Sequence, residues 1–450
     1  MNLENLTFKG GVKVPHYKEL TESLPIEKAI EPNLVYIPLH QHVGAPCEPL
    51  VKVGDTVKVG QKIGQSDAFV SAPVHSSVSG VVKEITSMPT PTGQTVKCVV
   101  IESDGKGELH ESVKPKGSLE KLSSKEIIEI IREAGITGMG GAGFPTHVKL
   151  SPPPDKKIDT IIINGAECEP LLDVSKEIMA RFPDRVVKAL SILKDFTGAK
   201  SAVIALKGKY KQAVKALDAE LLKTGLDIKL FEMGDFFPAG DEQVMVYEVT
   251  GKVVPEGGIP IAVGAVVNNI ETLFNVYGAI EEDAPVTQKF ITVGGQVKDP
   301  ITLKVPVGTT IGWLLDFLGV DYKDKVIIDG GPMMGNIADP SAPITKVTGG
   351  LLIFPKGHPA VTVKESDISR ILKLARIACI QCRYCTLQCP RYLLGHDLEP
   401  SKIMLSVGFK LTDGYIKQAM LCCECGVCEA YSCPQQLSPR RVNITLKREL

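Results

Sequence analysis

The chain has 450 residues, 44% of them hydrophobic, too many for one core and enough to build two to four. With 51 Lys and Arg against 52 Asp and Glu, the net charge of −1 excludes the broad basic field that polyanion binding requires, so no nucleic-acid partner is expected. Met1 to Pro15 has no basic segment followed by an apolar one, and the apolar stretch from Ile259 to Val267 contains a proline and runs into Asn268 and Asn269, so no bilayer span is expected.

The first hundred or so residues read as β structure: short Val-rich runs separated by Gly-Asp, Gly-Gln and Ser-Gly turns. Val51 to Gly64, followed by Ser71 to Gly80, resembles the hammerhead fold of biotinyl and lipoyl carrier domains. Those carriers need a lysine at the hairpin tip. Here the tip carries Asp67, Ala68 and Phe69, and no lysine follows until Lys83, so a swinging arm is excluded and the segment reads as a structural relic.

Ser123 to Ala134 predicts an amphipathic helix with a Ser-Ser cap and a stop at Gly135, after which a glycine-rich stretch begins. Strands at Lys157 to Asn164 and Ser201 to Leu206 alternate with helices at Val174 to Phe196 and Tyr210 to Thr224, the pattern of a parallel sheet with crossover helices. From Phe290, two strands, a turn at Gly308, a helix at Thr310 to Leu318 and a strand at Val326 to Ile328 resemble a small β-grasp module. The remainder alternates cysteine clusters with helical stretches at Ser401 to Phe409 and Tyr415 to Met420, as a helical ferredoxin-like domain would. The expected fold is multidomain α/β plus β: a barrel-sandwich unit over 1–115, a Rossmann-like α/β unit over 116–285, a β-grasp module over 286–355 and a ferredoxin domain over 360–450.

Nine of the 12 cysteines crowd between Cys379 and Cys433, too close for a distributed disulfide framework and suited to metal in a reducing cytoplasm. Cys379, Cys382, Cys385 and Cys389-Pro390 follow the C-x2-C-x2-C-x3-C-P spacing of bacterial two-cluster ferredoxins. The pattern nearly recurs at Cys422, Cys425, Cys428 and Cys433-Pro434, with Cys423 left over. In two-cluster ferredoxins the last cysteine of each run ligates the other cluster. Cys379, Cys382, Cys385 and Cys433 are therefore expected to hold one [4Fe-4S] cluster, and Cys422, Cys425, Cys428 and Cys389 the second. A pair of zinc knuckles would use paired C-x2-C or Cys with His rather than triplets ending in Cys-Pro. Adjacent clusters imply one-electron traffic, and a hydride donor then requires a flavin as converter. Cys47 and Cys98 read as core residues.

Gly138-Met139-Gly140-Gly141-Ala142-Gly143-Phe144-Pro145-Thr146 does not sit between a strand and a helix, so by itself it reads either as a structural loop or as a close backbone approach to a phosphate or flavin ring. Together with Asn164-Gly165-Ala166-Glu167-Cys168-Glu169-Pro170, Gly240-Asp241-Glu242 and the Asn268-Asn269-Ile270-Glu271-Thr272-Leu273 run, it resembles the NADH and FMN site of the flavoprotein subunit of respiratory complex I. With the hammerhead in front and the double cluster behind, nearly the whole chain resembles the RnfC family, components of Rnf complexes, which couple ferredoxin:NAD oxidoreduction to ion pumping.

That resemblance implies non-covalent FMN, NAD(H) and two [4Fe-4S] clusters. It also implies a peripheral place on the cytoplasmic face of the membrane, beside other Rnf-type subunits that include an iron–sulfur subunit accepting electrons from ferredoxin. Carried over by residue, Gly138, Gly140, Gly141, Gly143, Phe144 and Lys149 would line flavin and dinucleotide. Asn164, Glu167 and Glu169 would face the flavin ring, Asn268, Asn269 and Thr272 would hold its phosphate or ribityl chain, and Asp241 and Glu242 would contact the nicotinamide nucleotide. Cys168 stands where the complex I run has glycine, and is either an inert spacer or a redox-sensitive thiol. A cobalamin-reducing flavoprotein and a non-catalytic electron wire are the competing readings.

Overall fold

Period-two runs rich in Val and Ile dominate the first hundred residues, and in the computed structural model they become two small antiparallel sheets. The structure describes residues 10–18, 26–28, 31–89, 95–114, 122–411 and 414–450. Met1 to Lys9, part of the segment read above for a signal, and the expected boundary at 115/116 lie outside these residues. The strands are β1 (Ile26–Lys28), β2 (Leu34–Pro38), β3 (Glu48–Pro49), β4 (Thr56–Val57), β5 (Lys62–Gln65), β6 (Val74–His75), β7 (Gly80–Pro89) and β8 (Thr95–Ser103). One sheet runs β2-β8-β7-β4 and the other β3-β5-β6. Inward residues such as Val35, Ile37, Ile63, Val74, Val82 and Ile101 form their shared core. The leading segment belongs elsewhere. Val12 bridges Phe237 and β1 pairs in parallel with a strand of the third unit, so the chain ahead of Leu34 straps the later domains.

The second unit opens with α1 (Ser124–Glu133), where Ser123 and Glu126 complete a capping box, and α2 (Thr146–Lys149). It continues β9 (Thr160–Gly165), α3 (Val174–Arg181), α4 (Pro183–Thr197), β10 (Ser201–Lys207), α5 (Lys211–Thr224), β11 (Lys229–Met233), α6 (Glu242–Thr250), β12 (Ala265–Asn269) and α7 (Ile270–Glu282). The single helix expected over 174–196 is two. Phe182 takes φ −130 and ψ 46 because Pro183 disfavours a helical residue before it and starts the next helix at its first position. The parallel sheet runs β11-β10-β9-β12. Ile161 and Ile163 of β9 face a core built with α1, α3, α4, α5 and α7. Ile162 points the other way, toward α6, Val14, Met333, Cys425 and Val427.

The third unit comprises β13 (Gln288–Gly295), β14 (Ile301–Pro306), α8 (Ile311–Phe317), β15 (Lys325–Asp329), β16 (Asn336–Ala338) and β17 (Gly350–Pro355). Its sheet runs β1-β14-β13-β17-β15-β16, with β13 and β17 parallel at its centre. The fully buried ion pair between Lys289 of β13 and Glu271 of α7 ties this unit to the second.

The fourth unit is helical: α9 (Pro359–Glu365), α10 (Ile368–Ala378), α11 (Tyr384–Leu387), α12 (Pro390–Leu393), α13 (Pro400–Gly408) and α14 (Pro439–Glu449). Its core joins Ile371, Ala375, Leu398, Ile403, Met404 and Val442. The helix expected at 415–420 is a tighter 3₁₀ turn over Ile416–Leu421.

Candidate electron-transfer site

The chain passes from β9 outward through β10 and β11, then crosses back to β12 on the other side of β9. Such a reversal opens a crevice beyond the carboxyl ends of the two central strands, where open α/β sheets bind ligands. Asn164 and Gly165 end β9 there, and Asn268 and Asn269 end β12. Asn268 is 4% exposed and its Nδ2 has no hydrogen-bond partner in the protein. A buried unpaired amide costs about 1–3 kcal/mol, so this donor fits a ligand oxygen such as a flavin supplies.

The glycine-rich loop lies over the same crevice. Gly138 donates its amide to the Phe144 carbonyl at 2.9 Å, and Met139 donates to Thr272 Oγ1 at 3.0 Å. A Cβ on Gly140 would collide with the Asn269 side chain, whereas one on Gly141 would meet nothing within 4 Å. The backbone thus passes close over the start of α7 and leaves room at Gly141 for a bound group. Gly143, at φ +74, turns the chain against Val347 and the Gln41 carbonyl.

Several residues expected to touch a cofactor are occupied within the protein. Thr272 is fully buried and donates to the Thr137 carbonyl at 3.1 Å, so it pins the loop. Asn269 caps α7 through the Glu271 amide at 2.8 Å. Asn164 donates to the Gly240 carbonyl at 2.9 Å and accepts from the Ala166 amide at 3.0 Å. Lys149 reaches Glu242 at 3.1 Å and the Val267 carbonyl at 3.0 Å. Glu167 accepts from the Ser175 hydroxyl at 3.0 Å.

Glu169 reaches the loop after β15, accepting the Met333 and Met334 amides at 3.0 and 2.8 Å. Burial pushes its carboxyl up to about 7, against those two hydrogen bonds and the nearby Lys364. Cys168 accepts from the Gly240 amide at 2.8 Å and donates to the Ala166 carbonyl at 3.1 Å. Burial raises this thiol above its ordinary value, which suits a spacer that fixes a loop rather than a thiolate nucleophile.

Asp241 departs furthest from expectation. One oxygen caps α6 through the Gln243 and Val244 amides at 3.1 Å, and the other accepts from the Arg391 guanidinium at 3.0 Å. Both oxygens are therefore engaged, and Asp241 joins the second unit to the cysteine domain instead of facing a nucleotide. Arg391 follows Cys389-Pro390 directly, and Cys423, Cys389 and Cys425 lie around it. Arg391 was legible only as a basic residue beside a cysteine motif.

Cys379, Cys382, Cys385 and Cys433 line one cavity of about 330 Å³. Four thiols drawn from two motifs around such a volume fit a polynuclear cluster, the grouping the spacing predicts. Among the described residues no three His, Cys, Asp or Glu converge closely enough for a single ion. Cys389 is pushed up by burial and by the adjacent Cys423 and Cys422, and Cys428 by burial and by Glu429, Cys422 and Cys389. The last cysteine of each run thus lies with the other run. Cys423 sits against Cys425 and Cys389, inside the second group. Sequence reasoning missed Asn443 of α14, fully buried beside Cys422 and without a hydrogen-bond partner for either side-chain polar atom.

Three segments match described families: residues 6–106 the RnfC barrel sandwich hybrid domain, 131–278 the Nuo51 FMN-binding domain, and 378–438 the 4Fe-4S dicluster domain. The chain is 42% identical over 331 residues to the cobalamin reductase PduS of Citrobacter freundii, covering 73% of this chain and 72% of that one. It is 40% identical over 390 residues to the RnfC-type component of the proton-translocating ferredoxin:NAD(+) oxidoreductase complex of Clostridium ljungdahlii, covering 86% and 82%. The corresponding component of the Na(+)-translocating complex of Acetobacterium woodii is 35% identical over 398 residues, covering 87% and 86%. An NAD+-reducing [NiFe]-hydrogenase in its H2-reduced state shares the fold at a TM-score of 0.50 and 19% identity, over 73% of this chain and 62% of that one.

Proposed function

The chain belongs to the RnfC family, and from that membership we propose that it is the NADH-linked electron-transfer subunit of an ion-translocating ferredoxin:NAD+ oxidoreductase complex. FMN would occupy the switch-point crevice and two [4Fe-4S] clusters the cysteine domain. When bound, the flavin exchanges hydride with the nicotinamide and single electrons with the clusters. The observation that carries this reading is the juxtaposition of the crevice, with its unpaired Asn268 amide, and the cysteine domain held against it through Asp241 and Arg391.

The protein's own part is positioning. The Asn268 amide is a donor for the flavin, the Gly140-Gly141 backbone leaves space for flavin and dinucleotide, and Asn164 with Cys168 fixes the Gly240 turn that borders the crevice. Hydride transfer between two cofactors needs no side-chain acid or nucleophile. Gly138, Gly143, Phe144, Asn269 and Thr272 shape the loop; Lys149 with Glu242, and Glu167, border the nucleotide side. We take Cys379, Cys382, Cys385 and Cys433 as ligands of one cluster, and Cys389, Cys422, Cys425 and Cys428 as ligands of the other.

The finer fold assignments follow the same line. The order β14-β13-β17-β15-β16 with α8 as crossover supports a β-grasp module. The order β11-β10-β9-β12 supports a Rossmann-like half, and the two facing sheets a hammerhead. No helix among the described residues is long and apolar enough to cross a membrane. We place the chain peripherally on the cytoplasmic face, held by the membrane subunits and exchanging electrons with an iron–sulfur subunit.

The 42% identity to a cobalamin reductase favours a second reading, reduction of cobalamin, although the relatives from translocating complexes align over more of the chain. An anaerobic titration with NADH and with NADPH of protein reconstituted with FMN, iron and sulfide, followed optically and by EPR, separates the possibilities. NADH is expected to bleach the flavin and then develop cluster signals, with NADPH far less effective. Absence of flavin binding would leave only an electron wire, and NADH-dependent reduction of added cobalamin at a comparable rate would favour the second reading.

A further inference from the structure

If the chain carries electrons between NADH and a partner, they must cross its surface near one cluster, and the two cysteine groups differ sharply in exposure. Of the 12 cysteines only Cys382 is exposed. It lines the 330 Å³ cavity with Ile380, Gln381 and Arg383, all exposed as well. The second group is turned inward: Cys389, Cys425 and Cys428 are buried, and Cys425 packs into the core shared with the second unit. One group therefore faces the crevice and the other faces solvent.

The helix leading to that outer group, α10, is apolar on both sides. Ile371 and Ala375 are buried in the domain core. On the opposite side Leu374 is 40% and Ile377 74% exposed, followed by Ile380 at 63% and Tyr384 at 54%. Core packing does not account for these, and a contiguous exposed apolar patch marks an interaction site. Arg370, Lys373 and Arg376 are exposed on the same helix and have no ion-pair partner among the described residues. From Ile368 to His396 the sequence holds five Arg and Lys and no Asp or Glu, in a chain whose net charge is −1.

We propose that the outward face of α10 and the mouth of the Cys382 cavity form the docking surface for an acidic one-electron carrier, an iron–sulfur protein or domain with a negative surface. This rests on the electron-transfer reading above. The cations steer and orient a negative partner, while the apolar residues give a small contact that releases quickly, as transient redox encounters do. A lipid surface would match the same charges, but it makes no use of an exposed cluster cysteine at the centre of the patch.

The test is stopped-flow oxidation of a reduced, acidic two-cluster ferredoxin by the anaerobic reconstituted holoprotein at low and high salt. The parent's second-order rate constant is expected to fall by roughly tenfold or more between the two. The triple variant Arg370→Glu, Lys373→Glu, Arg376→Glu should start roughly tenfold lower and lose most of the salt dependence, and the corresponding triple change to Gln should fall between. Cluster absorbance and NADH-driven flavin bleaching should match the parent in both, which establishes that they are folded and loaded. Unchanged ferredoxin oxidation in both triple variants would overturn the proposal. So would loss of binding to phosphatidylglycerol vesicles with ferredoxin oxidation intact, which would make the patch a membrane contact. If NADH bleaches nothing in the parent, the functional reading fails separately, because ferredoxin oxidation by the clusters reports docking without NADH.

Discussion

Glu169 shows how a residue singled out by its motif takes a role that the motif does not announce. Its two oxygens hold the Met333 and Met334 amides, and burial raises its carboxyl from 4.5 to about 7. A carboxyl raised in the folded state binds an extra proton between those two values. Its contribution to stability is thus complete below pH 4.5 and is lost as pH rises through about 7. Asp329, buried at the end of β15 and also pushed up to about 7, adds to the same window. Denaturant melts at pH 5, 6 and 7.5 should show stability falling with pH, and Glu169→Gln should flatten that slope while costing about 1–3 kcal/mol throughout, since one amide loses its acceptor. A slope unchanged by Glu169→Gln would mean that the carboxyl ionises normally. Among the thiols, Cys389→Ser or Cys433→Ser should halve the roughly eight irons expected per chain, whereas Cys423→Ser should leave them in place. Iron loss in the Cys423 variant would exchange it into the ligand set.

Between elements, α6 and α12 meet through one pair. Asp241 caps α6 and Arg391 belongs to the first turn of α12, with side chains only 9% and 10% exposed. Removing one partner of such a pair strands the other charge, so Arg391→Met should cost about 3–5 kcal/mol in chemical denaturation. The same change should slow electron passage from NADH to the clusters while leaving flavin bleaching by NADH intact, because the crevice keeps its own residues. A rapid-mixing experiment that follows flavin and cluster signals separately checks this. Equal slowing of both would show that Asp241 acts on the nucleotide after all.

For the whole molecule, one lysine joins three units. Lys346, buried in the third unit, donates to the Pro73 carbonyl of the first at 2.8 Å and to the Gly135 carbonyl of the second at 2.7 Å. Lys346→Met leaves both carbonyls without that donor at about 1–3 kcal/mol each, and should raise hydrogen exchange on both sides of the junction. Protection unchanged around Pro73 and Gly135 would show that the junction is held by packing alone. The tip that carries the lysine in carrier domains is also docked: the Phe69 carbonyl meets His147 of α2 at 3.0 Å, and their rings pack edge to face at 5.8 Å. The first unit is thereby fixed against the glycine loop rather than swinging free.

The sequence by itself determined what depends on local pattern. Cysteine triplets ending in Cys-Pro, strands alternating with helices from 157 to 224, the Ser123 cap and the missing carrier lysine could all be read in the chain, because spacing along a backbone fixes which side chains share a loop or a face. The tertiary structure alone decided what depends on partners distant in sequence. It turned Asp241 toward Arg391, 150 positions away, and Glu169 toward Met333 and Met334. It carried β1 into the third unit's sheet and left Cys382 outside while burying Cys389 and Cys428. A carboxylate's type declares that it will accept hydrogen bonds, but the donor that reaches it is set by how separate cores pack, and no short-range pattern encodes that packing.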